Sequence, residues 1–200
     1  MGYQKPDEAL NRNSYIVEDF AYVPPLNQAE LWNTSLYDNL CYSAKTVPSL
    51  DSVLEIISLL RLGKQQNRKS KASLNSDHQI QFNLDRESIY APLDPSIFSS
   101  GERQRILLGR AILSGRSILI SDEGTSALDK QMEEQVFAIL KQTFHGGMVL
   151  VTHDWHVLKN CDRALVLNRG IIEESGDPNV MIKDKASIVH LLFGKSSGVA

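Results

Sequence analysis

A hydrophobic run, Ser117-Ile118-Leu119-Ile120-Ser121, ends in two adjacent carboxylates, Asp122 and Glu123. Open α/β sheets bind their ligands at the C-terminal edge of the strands, and a pair of acids placed there divides labour. One can hold Mg²⁺ directly or through water, while the next, pointing to the other side, can polarise a water aimed at a terminal phosphate. Two acids after a strand are more often part of a solvated loop, so the pair needs company. His153 supplies it, directly after a second apolar run, Met148-Val149-Leu150-Val151-Thr152. From a neighbouring strand end its imidazole could donate to a phosphate oxygen, although a histidine in that place is by itself more often a cap or a surface residue. Between the two runs, Thr125-Ser126-Ala127-Leu128-Asp129 offers Thr125 or Ser126 as the cap of a following helix, with Asp129 in its first turn. Upstream, Phe98-Ser99-Ser100-Gly101-Glu102 opens an amphipathic run from Ile106 to Leu113. Backbone N–H groups converging at a helix start carry about half a positive charge. Ser99 adds a hydroxyl there, and Ser100-Gly101 let a phosphate approach the backbone; taken alone, the stretch is an ordinary helix cap.

These groups meet only if the chain brings strand ends together. Short apolar runs alternate with helical patterns in the second half, as in βαβ units around a parallel sheet, with helical spacing from Leu128 to Thr143 between the two runs. Arg163–Leu167 and Gly170–Glu174 read as a hairpin across Asn168-Arg169-Gly170. Phe20–Val23 predicts a strand stopped by Pro24-Pro25, and the dense apolar positions from Ser49 to Leu62 predict a helix stopped by Gly63. Lys64 to Asn83 is polar, with Arg68, Lys69 and Lys71 close together, and predicts a solvated loop; anionic lipid headgroups are the alternative partner for that cluster. The expected fold is one α/β body with a mostly helical insertion near residues 29 to 100.

Composition narrows the function. The 200 residues are 42% apolar and 22% charged, which suits one globular domain. Lys plus Arg number 21 against 24 Asp plus Glu, a net charge of −3, which argues against nucleic acid held by bulk charge. Cys41 and Cys161, the 2 cysteines, make neither a disulfide framework nor a cysteine zinc site, and a reducing compartment fits. Apolar runs fall far short of the roughly 20 residues that cross a bilayer, and the N-terminus has no secretory pattern. A cytoplasmic location is expected.

Taken together and in this order, the motifs resemble the ATP-binding cassette family. Phe98-Ser99-Ser100-Gly101-Glu102 is similar to its signature loop and is followed by the family's Arg-Gln-Arg as Arg103-Gln104-Arg105. The strand through Asp122-Glu123 resembles Walker B, Ser126-Ala127-Leu128-Asp129 the D-loop, and His153 the switch histidine. Tyr22-Val23-Pro24 and Leu31-Trp32-Asn33-Thr34-Ser35-Leu36 look like the Q-loop strand and the segment after it in exporter-type cassettes. The resemblance covers roughly residues 10 to 185. It implies a P-loop NTPase-like parallel core sheet, with a helical subdomain at 29–103 carrying the signature and the α/β core at 104–200. It further implies ATP and Mg²⁺ as cofactors, Glu123 and His153 as catalytic groups, and Asp122 with a Q-loop amide at the metal. Ser99, Ser100, Gly101 and Glu102 would face the nucleotide of a second cassette, Ser126 and Asp129 would belong to the D-loop, and a transmembrane domain or subunit would be the further partner. The cassette would then work on the cytoplasmic face of a membrane.

Departures from the family pattern carry information too. No G-x-x-x-x-G-K-[ST] occurs in the 200 residues: Gly63-Lys64 is followed by Gln65, and Gly194-Lys195-Ser196 sits at the far end with Val189 where the first glycine belongs. This implies a cassette truncated at its N-terminus, inactive by itself. Pro25 stands where the Q-loop glutamine is expected; Asn27 and Gln28 are the two candidates, and Gln28 is preferred for its longer reach and is the amide expected beside Asp122 at the metal. Phe98, Ser100, Glu102, Ser121 and Gly124 replace the family's leucine, glycine, glutamine, apolar residue and alanine. The competing functions are a non-hydrolysing remnant that binds a partner cassette and a chromosome-maintenance or DNA-repair ATPase. The latter inserts a long coiled coil before the signature, where this chain has no heptads and carries Pro92 and Pro95.

Overall fold

The structure is a computed structural model that describes residues 19–62, 88–126 and 128–197. The expected loop at Lys64–Asn83, with its basic cluster, lies outside the described residues, as do Gly63 and Ala127. The chain forms two compact units, Met1–Leu150 and Val151–Ala200.

The first unit is built on a three-stranded sheet: β1 (Phe20–Val23), β2 (Ile118–Asp122) and β3 (Gly147–Val151), in the order β1-β2-β3. Strands β1 and β2 run parallel, with Val23 opposite Ser121. The proline pair that ends β1 therefore leaves the sheet beside Asp122. Sequence periodicity places β3 one residue later at each end, at Met148–Thr152. At the start of β1, Asp19 accepts from Lys45 and from Ser117 Oγ.

Helix α1 (Leu36–Cys41) is too short to show periodicity and is fixed by polar groups instead. Ser35 and Asp38 form a reciprocal capping box, and the buried Asn39 amide bonds Trp32 on both its nitrogen and oxygen sides. Helix α2 (Leu50–Leu59) starts at the Ser49 cap. It ends before the expected stop at Gly63, because Arg61 takes a left-handed φ of 50° and closes a Schellman arrangement. In that arrangement the Arg61 N–H donates to Ser58 and the Leu62 N–H to Ile57. Helices α3 (Ser100–Leu113) and α4 (Lys130–Thr143) follow among the described residues. Leu40, Val53, Leu60, Ile106, Leu108, Leu119, Val136 and Leu140 are fully buried in one core. Arg110 crosses from α3 to α1, its Nε donating to Asn39 O at 2.8 Å and its guanidinium 4.3 Å from the Trp32 ring centroid. Burial pushes its pKa down to about 10.

In the second unit, α5 (Trp155–Leu158) is capped by Asp154. The expected hairpin forms from β4 (Ala164–Asn168) and β5 (Ile171–Gly176), paired antiparallel. Arg169 and Gly170, at φ 48° and 80°, make the two-residue turn whose twist matches the strands. Helices α6 (Pro178–Met181) and α7 (Ile188–Ser197) follow, around Trp155, Ala164, Met181, Ile182 and Val189. Gly194-Lys195-Ser196 runs within α7, whereas a phosphate-binding glycine loop precedes its helix. No helix among the described residues is long and apolar enough to cross a membrane.

Candidate functional site

The end of β2 and the chain leaving β1 enclose an open hollow of about 560 Å³, lined by Pro25, Leu26, Asn27, Asp122, Glu123 and Ser126. Pro25 starts a single 3₁₀ turn, Leu26–Gln28, in which the Gln28 N–H donates to Pro25 O at 2.9 Å. That turn places Asn27 on the hollow and leaves Gln28, the longer candidate, outside its lining. Asp122 closes the strand, and Glu123 follows with a left-handed φ of 50°. A tight turn then forms, the Ser126 N–H donating to Glu123 O at 3.1 Å. The same carbonyl accepts from Gln104 Nε2 at 2.8 Å, and that amide also lies 3.5 Å from Ser126 Oγ. Gln104 is fully buried.

Thr125 and Ser126 do not cap the next helix. Thr125 Oγ1 donates to Glu133 at 2.9 Å, and Asp129 is itself the cap, accepting from Met132 N at 2.9 Å. Helix α4 consequently begins at Lys130 and not at Leu128, with Asp129 outside its first turn. Gly124 lies against β1 and β2: a Cβ there would sit 2.1 Å from Ser121 Oγ and 2.9 Å from Val23 Cγ1. The two departures at 121 and 124 thus fit one another, since the hydroxyl of one occupies the space a methyl on the other would need.

Ser99, Ser100, Gly101 and Glu102 begin α3, with Ser99 as the cap. Glu102 Oε2 accepts from both Ser99 N at 2.9 Å and Ser99 Oγ at 2.6 Å, while Glu102 N donates to Ser99 Oγ at 3.3 Å. The hydroxyl and amide that a phosphate would use are here held by a carboxylate, which is the capping-box chemistry of Ser-x-x-Glu. His153 is exposed, two residues past β3 and in the second unit, whereas Asp122 and Glu123 stand in the first.

The donor set facing the hollow is oxygen only: two carboxylates, an amide and a hydroxyl. Hard oxygen donors of this kind fit Mg²⁺, which takes one or two carboxylates and completes its shell with water or phosphate. No lysine or arginine lines the hollow, so a phosphate group would find there no basic side chain to balance its charge. A second shallow hollow, of about 440 Å³ between α2 and α4, contains no carboxylate or histidine. Two features escaped the sequence reading. Gln104 left a signal, since 104, 108 and 111 share one helical stripe otherwise filled by buried Leu108 and Ala111. The placement of Asn27 left none, because it depends on a turn of three residues.

The chain is similar to ATP-binding proteins of membrane transporters. It is 38% identical over 98 residues to the macrolide export ATP-binding/permease protein MacB of Pasteurella multocida, a match covering 48% of this chain and 15% of that protein. It is 35% identical over 144 residues to the methionine import ATP-binding protein MetN 2 of Enterococcus faecalis, covering 69% of this chain and 38% of that protein. The fold is similar to that of a bacterial Atm1-family ABC exporter solved with ATP bound, at a TM-score of 0.69 and 18% identity, covering 90% of this chain and 29% of that one. No family model matches the chain. The chain thus spans well under half the length of each of these proteins.

Proposed function

Because the chain belongs to the ATP-binding cassette family, we propose that it forms the Walker B, D-loop, switch-histidine and signature part of the nucleotide-binding domain of an ABC transporter. The observation that carries this reading is the hollow, where Asp122, Glu123, Asn27 and Ser126 converge at the end of β2. Asp122 holds Mg²⁺, with Asn27 as the Q-loop amide in place of Gln28. Glu123 orients the attacking water, and His153 stabilises charge on the terminal phosphate. Mg²⁺, when bound, neutralises phosphate charge and fixes the orientation of the phosphate chain. The exporter-like segment Leu31–Leu36 supports transport outward, with a transmembrane domain or subunit as partner and the cytoplasmic membrane face as the place of work. Nucleic acid is not among the partners.

The 200 residues contain no P-loop, so the chain by itself does not hydrolyse ATP under this reading. Its Ser99-Ser100-Gly101 loop would still serve a nucleotide held by the P-loop of a second cassette, through amides and a hydroxyl aimed at the terminal phosphate. Light scattering with a hydrolysis-deficient P-loop-containing cassette tests this directly. ATP should promote association; Gly101→Asp, which puts a carboxylate where phosphate oxygens approach, should abolish it, and His153→Ala should leave it intact. Equal association with and without ATP would remove the signature role.

A further inference from the structure

We propose that Gln104 is the positioning residue for Glu123: its buried amide holds the Glu123 backbone in the left-handed conformation and thereby aims the carboxylate into the hollow. The proposal rests on the reading of Glu123 as the water-orienting base. A residue with a Cβ resists φ of 50°, so something around Glu123 must hold it there. Its carbonyl is engaged twice, by the Ser126 N–H of the local turn and by Gln104 Nε2 at 2.8 Å. The turn moves with Glu123, but the amide does not. Gln104 is fully buried on α3, in a segment where Ile106, Leu107 and Leu108 are also buried, so its side chain is anchored to the core. Aimed at the carbonyl of a strained residue, the amide stabilises that one conformation over the extended alternatives. The same helix opens with Ser99-Ser100-Gly101, so a displacement of α3 at its first turn is transmitted through Gln104 to the backbone of Glu123.

A double-mutant cycle on the full chain tests the hold. The variants are Gln104→Met, Glu123→Gly and the pair, all in a Trp155→Phe background so that Trp32 alone reports unfolding of the first unit. Gln104→Met should lower the unfolding midpoint by about 3–8 °C, the usual scale for a buried carbonyl losing its donor in a chain of this size. With glycine at 123, where φ of 50° carries no strain, the same change should cost at least about 2 °C more, because in the glutamate background the freed backbone recovers part of the loss by leaving the left-handed region. Equal losses in the two backgrounds would overturn the proposal, because the amide would then merely satisfy a carbonyl. In the complete ATPase assembly carrying this chain, Gln104→Met should lower kcat at least about tenfold with KM for ATP within about twofold, the pattern of a lost transition-state interaction; an unchanged kcat would also overturn it. Glu123→Gln in the same assembly is the separate control. Parent-rate turnover there would withdraw Glu123 as the base, while the unfolding cycle still decides whether Gln104 holds its backbone.

Discussion

Gly124→Ala adds one methyl group at a place where two buried neighbours already meet. The new Cβ would lie 2.1 Å from Ser121 Oγ and 2.9 Å from Val23 Cγ1. Carbon atoms settle at about 3.5–4.0 Å, so both contacts are far shorter than the optimum and repulsive. Neither neighbour has free space to enter, since Val23 is 0% and Ser121 4% exposed. Rotating the Ser121 hydroxyl relieves only one of the two clashes, and the Val23 clash remains on a β-branched side chain with few rotamers. Overpacking of this kind costs about 1–3 kcal/mol, or roughly 2–12 °C in midpoint for a chain of this length. Thermal unfolding followed by Trp32 fluorescence in the Trp155→Phe background measures it. The companion variant is Ser121→Ala, which removes the nearer clashing atom and leaves Ser121 Cβ at an ordinary 3.5 Å. Ser121→Ala should therefore restore the part of the lost stability that the hydroxyl clash causes in the Gly124→Ala background, leave the Val23 part, and contribute little alone. Distant sites add to within about 0.5 kcal/mol, so coupling smaller than that between 121 and 124 would refute the reasoning, as would a neutral Gly124→Ala.

Glu102→Gln removes the carboxylate that now holds Ser99 N and Oγ, yet keeps an oxygen to accept from the cap. Removing one like charge from the approach of a phosphate is worth about 1 kcal/mol at an exposed site, so ATP-dependent association with a P-loop-containing cassette should tighten about fivefold, and less at high salt; unchanged or weaker association would show that the box does not compete with phosphate. Asp19→Asn tests the ties at the start of β1, where the Lys45 ammonium and then the Ser117 hydroxyl hold the Asp19 carboxyl below its ordinary value. A lowered folded-state pKa contributes stability that is present above the unfolded value of about 3.9 and is lost as pH falls through the folded one. The midpoint difference between parent and Asp19→Asn should accordingly be largest near pH 6 and shrink below pH 4, and a difference constant from pH 3 to 6 would contradict the assigned ties.

What could be read without coordinates depended on how each element is specified. β1, β2 and the β4–β5 hairpin are visible as apolar runs with proline, acid or glycine punctuation, and their strands match the sequence reading to within about two residues. Helix α1 is not visible, because six residues held by Ser35, Asp38 and Asn39 produce no periodic stripe. Helix α2 ends short of Gly63 because Arg61, a residue that rarely takes positive φ, does the work usually given to glycine. Site residues divide in the same way. Asp122 and Glu123 follow from strand position alone, whereas the choice of Asn27 over Gln28 at the hollow depends on the phase of one 3₁₀ turn.

The α3 start exposes a deeper ambiguity, because one pattern serves two uses. A capping box and an anion site recruit the same hydroxyl and the same free N–H groups at a helix N-terminus, so Ser-x-x-Glu satisfies the requirements of both. What separates them is the charge at the third helical position. A neutral glutamine there would cap weakly and leave the donors for a phosphate, but Glu102 occupies them with its own carboxylate. Under the proposed signature role, phosphate binding at this loop would have to displace an internal anion, which would favour a ligand already charge-neutralised by a cation and a partner's basic groups. A free triphosphate would add uncompensated negative charge to that exchange, whereas one held in a second cassette would bring its own counter-charges with it.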